Sequence, residues 1–487
     1  METALPLLMF LVLACFLFSG YPVAFVLAGV AVLFGAAGTA LDMFSFKMFF
    51  IFVPRIWDGI ANQSILTAIP LFIFMGTMLE RSGVATDLLR CLQLWLHRVP
   101  GSLAIAVTLI GTILAATTGI IGASVVMMTL LALPVMLKQR YSTALSTGTI
   151  AASGTLGILI PPSIMLIFMA HLLQQKLGTL FVAAVVPGLL LAGLYLLYIL
   201  IACRIRPSLA PPLPDSERPA SLTALLTLTF VGLVPPVFLV FLVLGSILFG
   251  WTTPTEAAGV GAAGALFLAA IFKPLLNTAL CDTPFVDTSC PAYNTAATSF
   301  RARFVVELNA FRKNLPDVVE RTALTNAMLF MILIGATTFS FVFRALGGDD
   351  VILGLIEELN LGSWGFLFVL MAFVFVLGFF FDWIEITLII LPIFGPIIHN
   401  MDFGSHVARP DMIYWFAILI AVNLQTSFLT PPFGFALFYL KGAAPPSVRI
   451  EEVYKGVLPF VLLQLTGLGL IIAFPQIALW LPGKLLN

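Results

Sequence analysis

Long apolar runs separated by short polar stretches occupy most of the chain. Many runs approach about twenty residues, the length that an α-helix needs to cross the hydrocarbon core of a bilayer. The pattern predicts an all-α polytopic membrane protein, in which the aromatic and partly charged segment 43–62 lies on the membrane surface. The predicted spans cover residues 4–40 (kinked), 64–80, 102–137, 145–172, 179–202, 222–250, 254–273, 322–344, 363–399, 412–440 and 456–480.

Two of the runs contain a double proline with a Ser or Thr directly next to it, Pro161-Pro162 in run 145–172 and Pro431-Pro432 in run 412–440. Proline lacks an N–H and crowds the preceding residue, so a regular helix cannot continue through two prolines in a row. At membrane depth the carbonyls freed in this way must be satisfied by protein, water or an ion. We therefore predict two broken helices, a feature that marks binding sites in transporters.

The elements recur in the same order in the two halves of the chain. In each half a helix is followed by an interrupted apolar stretch, 102–137 or 363–399, and then by a broken helix. This order indicates a structural repeat. The predicted organisation is an N-terminal kinked helix with a surface arm (1–63), repeat 1 (64–172), scaffold helices (173–276), a polar cytoplasmic linker (277–321), repeat 2 (322–440) and a C-terminal helix (441–487).

Charges indicate how the interrupted stretches enter the membrane. The first stretch has His97 and Arg98 before it and Lys138 and Arg140 after it, and basic residues favour the cytoplasmic side at both ends. Its arms of about 17 and 14 residues are just too short to cross the bilayer core of about 30 Å, so we predict a re-entrant hairpin. The second stretch lacks this basic excess. We therefore predict that it enters from the opposite face, as in an inverted repeat.

Composition excludes several other functions. The chain has 487 residues, of which 61% are hydrophobic and 9% charged, and its net charge is zero. No long basic tract suggests a nucleic-acid partner. The sequence has no phosphate-binding Gly-x-x-x-x-Gly-Lys-Ser/Thr motif and its four histidines form no metal-ligand motif, which argues against a primary pump and a membrane-embedded enzyme. We expect no enzymatic activity and no organic cofactor.

Several local motifs resemble the large membrane subunit of tripartite ATP-independent periplasmic transporters. They are GYPVAF at 20–25, IPLF at 69–72, AASGTLG at 151–157 with IPPS at 160–163, and TPTEAA at 253–258. The resemblance covers nearly the whole chain. It implies an ion-transporter-superfamily fold, an elevator-type transport domain and sodium as the coupling ion. It also implies two protein partners, a small four-helix membrane subunit and a periplasmic substrate-binding protein.

The candidate ion and substrate ligands lie at the hairpin tips and the helix breaks. Sodium prefers oxygen, which freed carbonyls and Ser, Thr and Asn side chains supply without a fixed charge. Site 1 combines Thr117, Thr118, Gly119, Gly122, Ser124, Ser153, Gly154, Thr155, Pro161 and Pro162. Site 2 combines Gly378, Asp382, Glu385, Asn423, Gln425, Thr426, Ser427, Thr430, Pro431 and Pro432.

These residues also have structural interpretations. Ser and Thr in membrane helices often bond a carbonyl one turn back, and glycines often let helices pack closely; the matching clusters in both halves favour the binding interpretation. Asp382 and Glu385 could bind a cation, relay protons or pair with a basic residue of a partner, and a structural role stays open. Glu256 is predicted to cap a helix N-terminus, and His171 is interpreted as interfacial.

The resulting functional prediction is sodium-driven import of a small organic acid across the bacterial inner membrane. A periplasmic binding protein would deliver the solute, and membrane lipid would surround the subunit. The alternative is a single-component symporter of the same superfamily, which would take up sodium and a di- or tricarboxylate directly. Dependence on a secreted binding protein distinguishes the two.

Overall fold

The structure, a computed structural model, is helical throughout the part of the chain that it describes. It describes residues 4–118, 121–211, 225–226, 229–280, 300–359, 361–432 and 434–485. Within these ranges, eight helices are long and apolar enough to cross a bilayer. The predicted all-α polytopic membrane class is therefore confirmed.

The α-helices of the described ranges are numbered in chain order. They are α1 Ala4–Phe18, α2 Val23–Ala40, α3 Phe52–Ile56, α4 Ala68–Arg81, α5 Val84–Trp95, α6 Ser102–Thr118, α7 Ile121–Lys138, α8 Thr143–Thr155, α9 Ile164–Leu172, α10 Leu177–Ile205, α11 Val234–Leu248, α12 Pro254–Phe267, α13 Lys273–Leu280, α14 Phe300–Ala345, α15 Gly348–Glu358, α16 Ser363–Leu377, α17 Trp383–His399, α18 Arg409–Leu429, α19 Phe435–Ala443, α20 Ile450–Ala473 and α21 Gln476–Leu485. Short 3-10 or π segments join several of them, and one, Leu156–Ile158, extends α8 toward the first double proline.

Each half contains a helical hairpin followed by an interrupted helix, as predicted. Hairpin 1 consists of α6 and α7, and the first interrupted helix consists of α8 and α9. Hairpin 2 consists of α16 and α17, and the second interrupted helix consists of α18 and α19. The Pro161-Pro162 and Pro431-Pro432 peptide bonds lie in the two breaks, and both are cis.

The two helices that lead into the breaks form the centre of the molecule. Residues 145–159 and 415–429 are all buried, including their Ser, Thr, Asn and Gln side chains. Helix α8 also crosses α20 at very short range. A Cβ atom on Gly148 would collide with the carbonyl oxygen of Gly456, and one on Gly456 would collide with that of Ala144. Small residues at this crossing allow the two backbones to touch.

Hairpin 1 differs in detail from its prediction. Helix α6 has 17 residues, as expected, but α7 has 18 residues rather than about 14. The difference arises because α7 begins at Ile121, so Gly122 and Ser124 lie in its first turn rather than in a loop. A Ser two or three residues inside a helix start still has its side chain near the unpaired N–H groups of that end.

The predicted polar linker 277–321 contains a large helical part. Helix α14 has 46 residues and begins at Phe300, so it joins the second half of the predicted linker to the first span of repeat 2. Residues 281–299 of the linker lie outside the described ranges. Asp317 of α14 pairs with Arg321 at 3.1 Å and with Arg81 at 3.2 Å, which ties the lower part of α14 to the end of α4.

Three helices were not anticipated as separate elements: α5, α15 and α21. Helix α5 is amphipathic, with Leu88, Leu89 and Leu92 buried on one face. On another face of the helix, the Asp87 carboxylate pairs with the Lys273 ammonium group at 2.9 Å. A 12-residue helix of this kind is too short and too polar to register as a span.

Candidate functional site

The first arm of hairpin 1 packs directly against α8. A Cβ on Gly111 would lie 2.5 Å from the Cβ of Ser153 and 2.9 Å from its carbonyl oxygen. The Ser153 hydroxyl donates to the Thr149 carbonyl at 2.6 Å and lies 3.4 Å from the Thr108 hydroxyl, which donates to Ala104. Because each hydroxyl proton has a carbonyl acceptor, both oxygens retain lone pairs that a cation could use.

The start of α7 meets the same helix one residue further on. A Cβ on Gly154 would lie 2.5 Å from the Cγ2 of Val125 and 3.3 Å from its Cα, and the adjacent Ser124 is buried. Ser124 is therefore the sequence neighbour of the residue that contacts Gly154. Thr117 and Thr118 end α6, but their side chains lie outside the described part of the structure, as does Gly119.

The first break is enclosed by protein. Thr155 ends α8 and donates to the Ala152 carbonyl at 2.9 Å. Pro161 and Pro162 are both buried, and the hydroxyl of Ser163 donates to the Ile158 carbonyl at 2.6 Å. The Ser163 side chain therefore satisfies one carbonyl that the break would otherwise leave without a partner.

The second candidate site has the same kind of close contact between hairpin and broken helix. Gly378, at the end of α16, lies so close to Ser427 that a Cβ on it would be 2.7 Å from the Ser427 Cβ. The Ser427 hydroxyl donates to the Phe375 carbonyl. One turn earlier, the Asn423 amide donates to the Met371 carbonyl at 2.8 Å. Two side chains of α18 therefore bind carbonyls of α16.

The second break is less enclosed than the first. Thr426 and Thr430 donate to carbonyls one turn back, each at 2.8 Å. Pro431 is partly exposed and Pro432 is exposed, and the carbonyl of Pro432 accepts a hydrogen bond of 2.9 Å from Tyr454. Hydroxyls that bond their own helix in this way keep oxygen lone pairs for another partner.

Asp382 and Glu385 form a capping box at the start of α17. The Asp382 carboxylate accepts from the Trp383 N–H at 2.7 Å, and the Glu385 carboxylate accepts from the Asp382 N–H at 3.3 Å. Thr253 and Glu256 make the same arrangement at the start of α12, which confirms the structural role predicted for Glu256. In each box one oxygen of the Glu carboxylate is engaged.

Tyr439 of α19 lies between the two hairpin tips, a position that no motif in the sequence indicates. Its ring lies against Gly122, where a Cβ would come within 2.8 to 3.0 Å of three ring carbons. The phenol also lies in electrostatic range of Asp382 and Glu385. In the other direction, Trp383 of hairpin 2 packs on Phe168 of α9 with ring centroids 6.0 Å apart. Each hairpin tip therefore contacts the second part of the other repeat's broken helix.

Thr155 and Gln425 meet partners that were not predicted. The amide of Gln425 donates to the Tyr195 hydroxyl at 3.2 Å, and Thr155 lies 3.5 Å from the amide nitrogen of Gln464. Tyr195 and Gln464 lie in mainly apolar parts of the long helices α10 and α20. The sequence pattern of one helix does not indicate which other helix such a residue meets, so only the packing reveals its partners.

A polar cavity of about 540 Å³ lies between the surface segment, α14, hairpin 2 and the end of α9. Its basic lining residues are Arg55, His171 and Arg344, and Gln63, Gln174, Gln175, Thr337 and Ser340 add uncharged polar groups. The Arg55 guanidinium lies 4.4 Å from the centroid of the Phe341 ring. Arg344 lies 3.6 Å from Asp349 and also donates to the Pro392 carbonyl. Its size suits a small solute.

Helical hairpins that face interrupted helices within a bundle of spans define a membrane transporter. Sequence comparison is consistent with that class and narrows it. The chain belongs to the family described as the DctM component of tripartite ATP-independent periplasmic (TRAP) transporters, whose sequence model matches residues 10–477. The resemblance drawn from the motifs is therefore confirmed, and the chain is a multi-pass permease subunit.

Relatives with named solutes are similar over most of the chain. The C4-dicarboxylate TRAP transporter large permease protein DctM of Pseudomonas aeruginosa is 30% identical over 420 residues, which are 86% of each chain. The ectoine TRAP transporter large permease protein TeaC of Halomonas elongata is 26% identical, with 88% of each chain covered. The isethionate TRAP transporter permease protein DctMQ of Oleidesulfovibrio alaskensis is 27% identical over 96% of this chain and 65% of its own length.

A solved structure supports the fold. The YdaH transporter of Alcanivorax borkumensis, described as having an unusual topology, superposes with a TM-score of 0.55 over 90% of each chain. The sequences are 14% identical, so this likeness extends to the fold alone.

Proposed function

We propose that this subunit imports a small organic acid across the bacterial inner membrane, driven by a sodium gradient, after a periplasmic binding protein has delivered the solute. The observation that carries the proposal is the pair of contacts between hairpins and broken helices. Ser153 meets Gly111 in one, and Ser427 meets Gly378 in the other. Binding of an ion at such a contact would hold hairpin and broken helix together.

The chemistry of both contacts suits sodium. The hydroxyls of Ser153, Thr155, Thr426 and Thr430 donate to backbone carbonyls, which leaves their oxygens as acceptors. A hard monovalent cation is well served by such neutral oxygens and by the carbonyls at the breaks. The structural interpretation predicts the same hydrogen bonds. These bonds orient the hydroxyl oxygens so that their lone pairs are available to a cation.

The polar cavity supports an anionic solute. Arginine binds carboxylates through two parallel hydrogen bonds, and the cavity contains Arg55 and Arg344 with only Asp349 close to the second. Dicarboxylate and isethionate, which occur in the names of two relatives, are both anions. By the charge bias of the loops, the cavity opens on the periplasmic side.

The moving body proposed here consists of the hairpins, the broken helices, α10 and α20, because Tyr195 of α10 is bonded to Gln425 and Gln464. The backbone contact between Gly148 and Gly456 supports including α20, because two helices that touch at their carbonyls cannot slide past one another without separating. This body would move against the remaining helices as in an elevator. The partners proposed for it are a small four-helix membrane subunit and the binding protein; the name DctMQ of one relative is consistent with a subunit fused to its partner.

Reconstituted transport tests the proposal. The purified permease and the small membrane subunit encoded beside it would be reconstituted into proteoliposomes, and candidate binding proteins would be added outside. Uptake of labelled organic acids would then be measured under an inward sodium gradient. We expect uptake that requires both sodium and the binding protein. Equal uptake with potassium in place of sodium would contradict the coupling, and uptake without the binding protein would favour a single-component symporter.

The cavity has its own test. Arg55→Gln should raise the solute concentration for half-maximal uptake about tenfold, the equivalent of 1.4 kcal/mol, without changing the sodium requirement. Lys47→Gln is the matched control, because Lys47 belongs to the same surface segment, is exposed and does not line the cavity. Equal effects of the two substitutions would show that the surface charge, and not the cavity, attracts the solute.

A further inference from the structure

A buried polar cluster connects the two broken helices away from the hairpin tips. The Tyr195 hydroxyl accepts hydrogen bonds from the amide of Gln425 at 3.2 Å and from that of Gln464 at 2.6 Å. The Gln464 amide nitrogen also lies 3.5 Å from the Thr155 hydroxyl. All four side chains are fully buried. One continuous polar chain therefore runs from α8 to α18 through α20 and α10.

The cluster takes equivalent positions from the two repeats. Thr155 lies six residues before the double proline at Pro161, and Gln425 lies six residues before that at Pro431. Tyr195 and Gln464 lie on the helices that follow each broken helix, 34 and 33 residues after the first proline of their own repeats. The first half of the chain therefore contributes Thr155 and Tyr195 to the cluster, and the second half contributes Gln425 and Gln464.

Stability alone does not account for this cluster. The amide oxygens of Gln425 and Gln464 are buried without a hydrogen-bond partner. A buried polar atom left unpaired costs about 1–3 kcal/mol, and hydrogen bonds between membrane helices return only about 0.6–2 kcal/mol each. Apolar side chains of similar size would hold the helices together at least as well.

Each end of the cluster is two residues from a candidate ion ligand. Thr155 follows Ser153, which contacts hairpin 1, and Gln425 follows Asn423, whose amide binds the Met371 carbonyl of hairpin 2. The Tyr195 ring is fixed edge-on against Phe460, with centroids 5.3 Å apart. Both amides share one hydroxyl acceptor. A shift of α18, which carries Gln425, therefore alters the hydrogen bond of Gln464, and a shift of α8 acts on Gln464 through Thr155.

We propose that Tyr195 and Gln464 are positioning residues that couple the two ion sites, so that occupation of one site raises the affinity of the other. The proposal rests on the sodium coupling proposed above. Two sites linked through a shared two-state element bind cooperatively, and the cluster is a contiguous physical path between the breaks. Cooperative binding would favour the fully loaded body over partly loaded ones, which limits movement with a single ion.

The test is the sodium dependence of uptake by Tyr195→Phe in the reconstituted tripartite system. We expect the Hill coefficient for sodium to fall from near two in the unchanged protein to near one, while uptake at saturating sodium persists. Tyr198→Phe is the matched control, because Tyr198 lies on the same helix and packs against the same Phe460 ring at 5.1 Å. That control should keep the Hill coefficient of the unchanged protein.

A second variant separates coupling from folding. In Gln425→Leu/Gln464→Leu/Tyr195→Phe every hydrogen-bonding group that meets at the Tyr195 hydroxyl is replaced, which removes the unpaired atoms. Such replacement should leave the melting temperature unchanged or raised. The Hill coefficient should nevertheless stay near one. Gln425 is also a candidate ligand of site 2, so Gln464→Leu/Tyr195→Phe, which leaves Gln425 in place, is measured beside the triple variant and decides the question if Tyr195→Phe does not fold.

The outcomes are distinguishable. Sodium-independent uptake by the unchanged protein would overturn the proposed function and the coupling together. A sodium-dependent unchanged protein with a Hill coefficient of one, or a Tyr195→Phe or triple variant that retains the original coefficient, would overturn the coupling alone. A coefficient that returns to its original value in the triple variant would show that the cluster acts only through stability.

Discussion

The two helix breaks differ in how far they are open to their surroundings. Pro161 and Pro162 at the first break are buried, whereas Pro431 is partly and Pro432 fully exposed at the second. Perfect two-fold symmetry between the repeats would expose both breaks equally. A transporter that opens to one side at a time must lose that symmetry in each of its states. The unequal exposure is what a single state of such a cycle requires.

The two candidate sites also differ in chemistry. Close packing dominates the first, where Gly111 and Gly154 allow Ser153 and Val125 to approach. Around the second, an amide and a carboxylate capping box are added to the packing of Gly378 on Ser427. The first candidate site is thus neutral, whereas two carboxylates lie near the second. Ions bound at the two proposed sites would therefore be held with different affinities.

The largest expected effect comes from filling the glycine contacts. Gly378→Val should reduce uptake about 100-fold, because a side chain there displaces Ser427, and displacement by about 1 Å can have that effect at a site. Gly111→Val should do the same at the first site. Gly354→Val is the control, because nothing lies within 4 Å of a Cβ at that position. Uptake of labelled solute is the measurement, and a large loss in only one repeat would break the proposed equivalence of the two contacts.

The next largest effect is expected from replacing Asn423 and Ser153, the polar side chains that bond backbone carbonyls at the two candidate sites. Asn423→Ala should raise the sodium concentration for half-maximal uptake about tenfold, since the Met371 carbonyl loses its donor. Ser153→Ala should raise it only about threefold, because its hydroxyl bonds a carbonyl of its own helix, whereas the Asn423 amide bonds a carbonyl of hairpin 2. Sodium titration of uptake measures both. The reverse order would mean that the neutral site is the tighter one, and no change in either would remove both residues from the ligand set.

A smaller effect is expected from the acidic residue of hairpin 2. Glu385→Gln should keep the capping box, because glutamine makes the same bond, and should raise the half-saturating sodium concentration about fivefold through loss of charge. Glu256→Gln, in the equivalent box of α12, should change neither uptake nor melting temperature. If the two substitutions behave alike, Glu385 is only a cap and the chemical difference between the sites disappears.

The smallest effect is expected at Tyr439, the residue shared by the two tips. Tyr439→Phe keeps the ring against Gly122 and removes only the hydroxyl near Asp382 and Glu385. Uptake should fall about twofold, roughly 0.4 kcal/mol. Phe435, one turn earlier on α19 and 5.9 Å from the Tyr439 ring, supplies the control Phe435→Leu. A much larger loss at Tyr439 would place its hydroxyl in direct contact with ion or solute.

The sequence was most informative where chemistry is local. The double prolines at 161–162 and 431–432 interrupt their helices, and a Thr-Pro-Thr-Glu start caps a helix whatever surrounds it, so both breaks and the cap at Glu256 could be predicted. The close approach of Ser153 to hairpin 1 and of Ser427 to hairpin 2 followed from the matching order of elements in the two halves. Family membership followed from motifs spread along the chain.

Contacts between distant helices could not be predicted in the same way. Tyr439 against Gly122 and Gln464 against Thr155 join different repeats, and no spacing within one segment encodes which helices cross. The first part of helix α14 resembles a linker in composition because it carries many charged residues, most of them exposed, and a largely polar helix has no clear apolar face. The packing of the folded chain supplies this missing information.

The length of α14 has a mechanical consequence. At 1.5 Å per residue its 46 residues extend about 69 Å, more than twice the roughly 30 Å of a bilayer core. The first span of repeat 2 is therefore the upper part of a helix that continues well beyond the span, with Pro316 in its interior and the next residue, Asp317, tied to Arg81. Proline removes one backbone hydrogen bond from a helix, so a tilt applied before Pro316 is taken up as a bend there, whereas a pull on Asp317 is carried along the helix to Phe341 and Arg344 of the cavity wall.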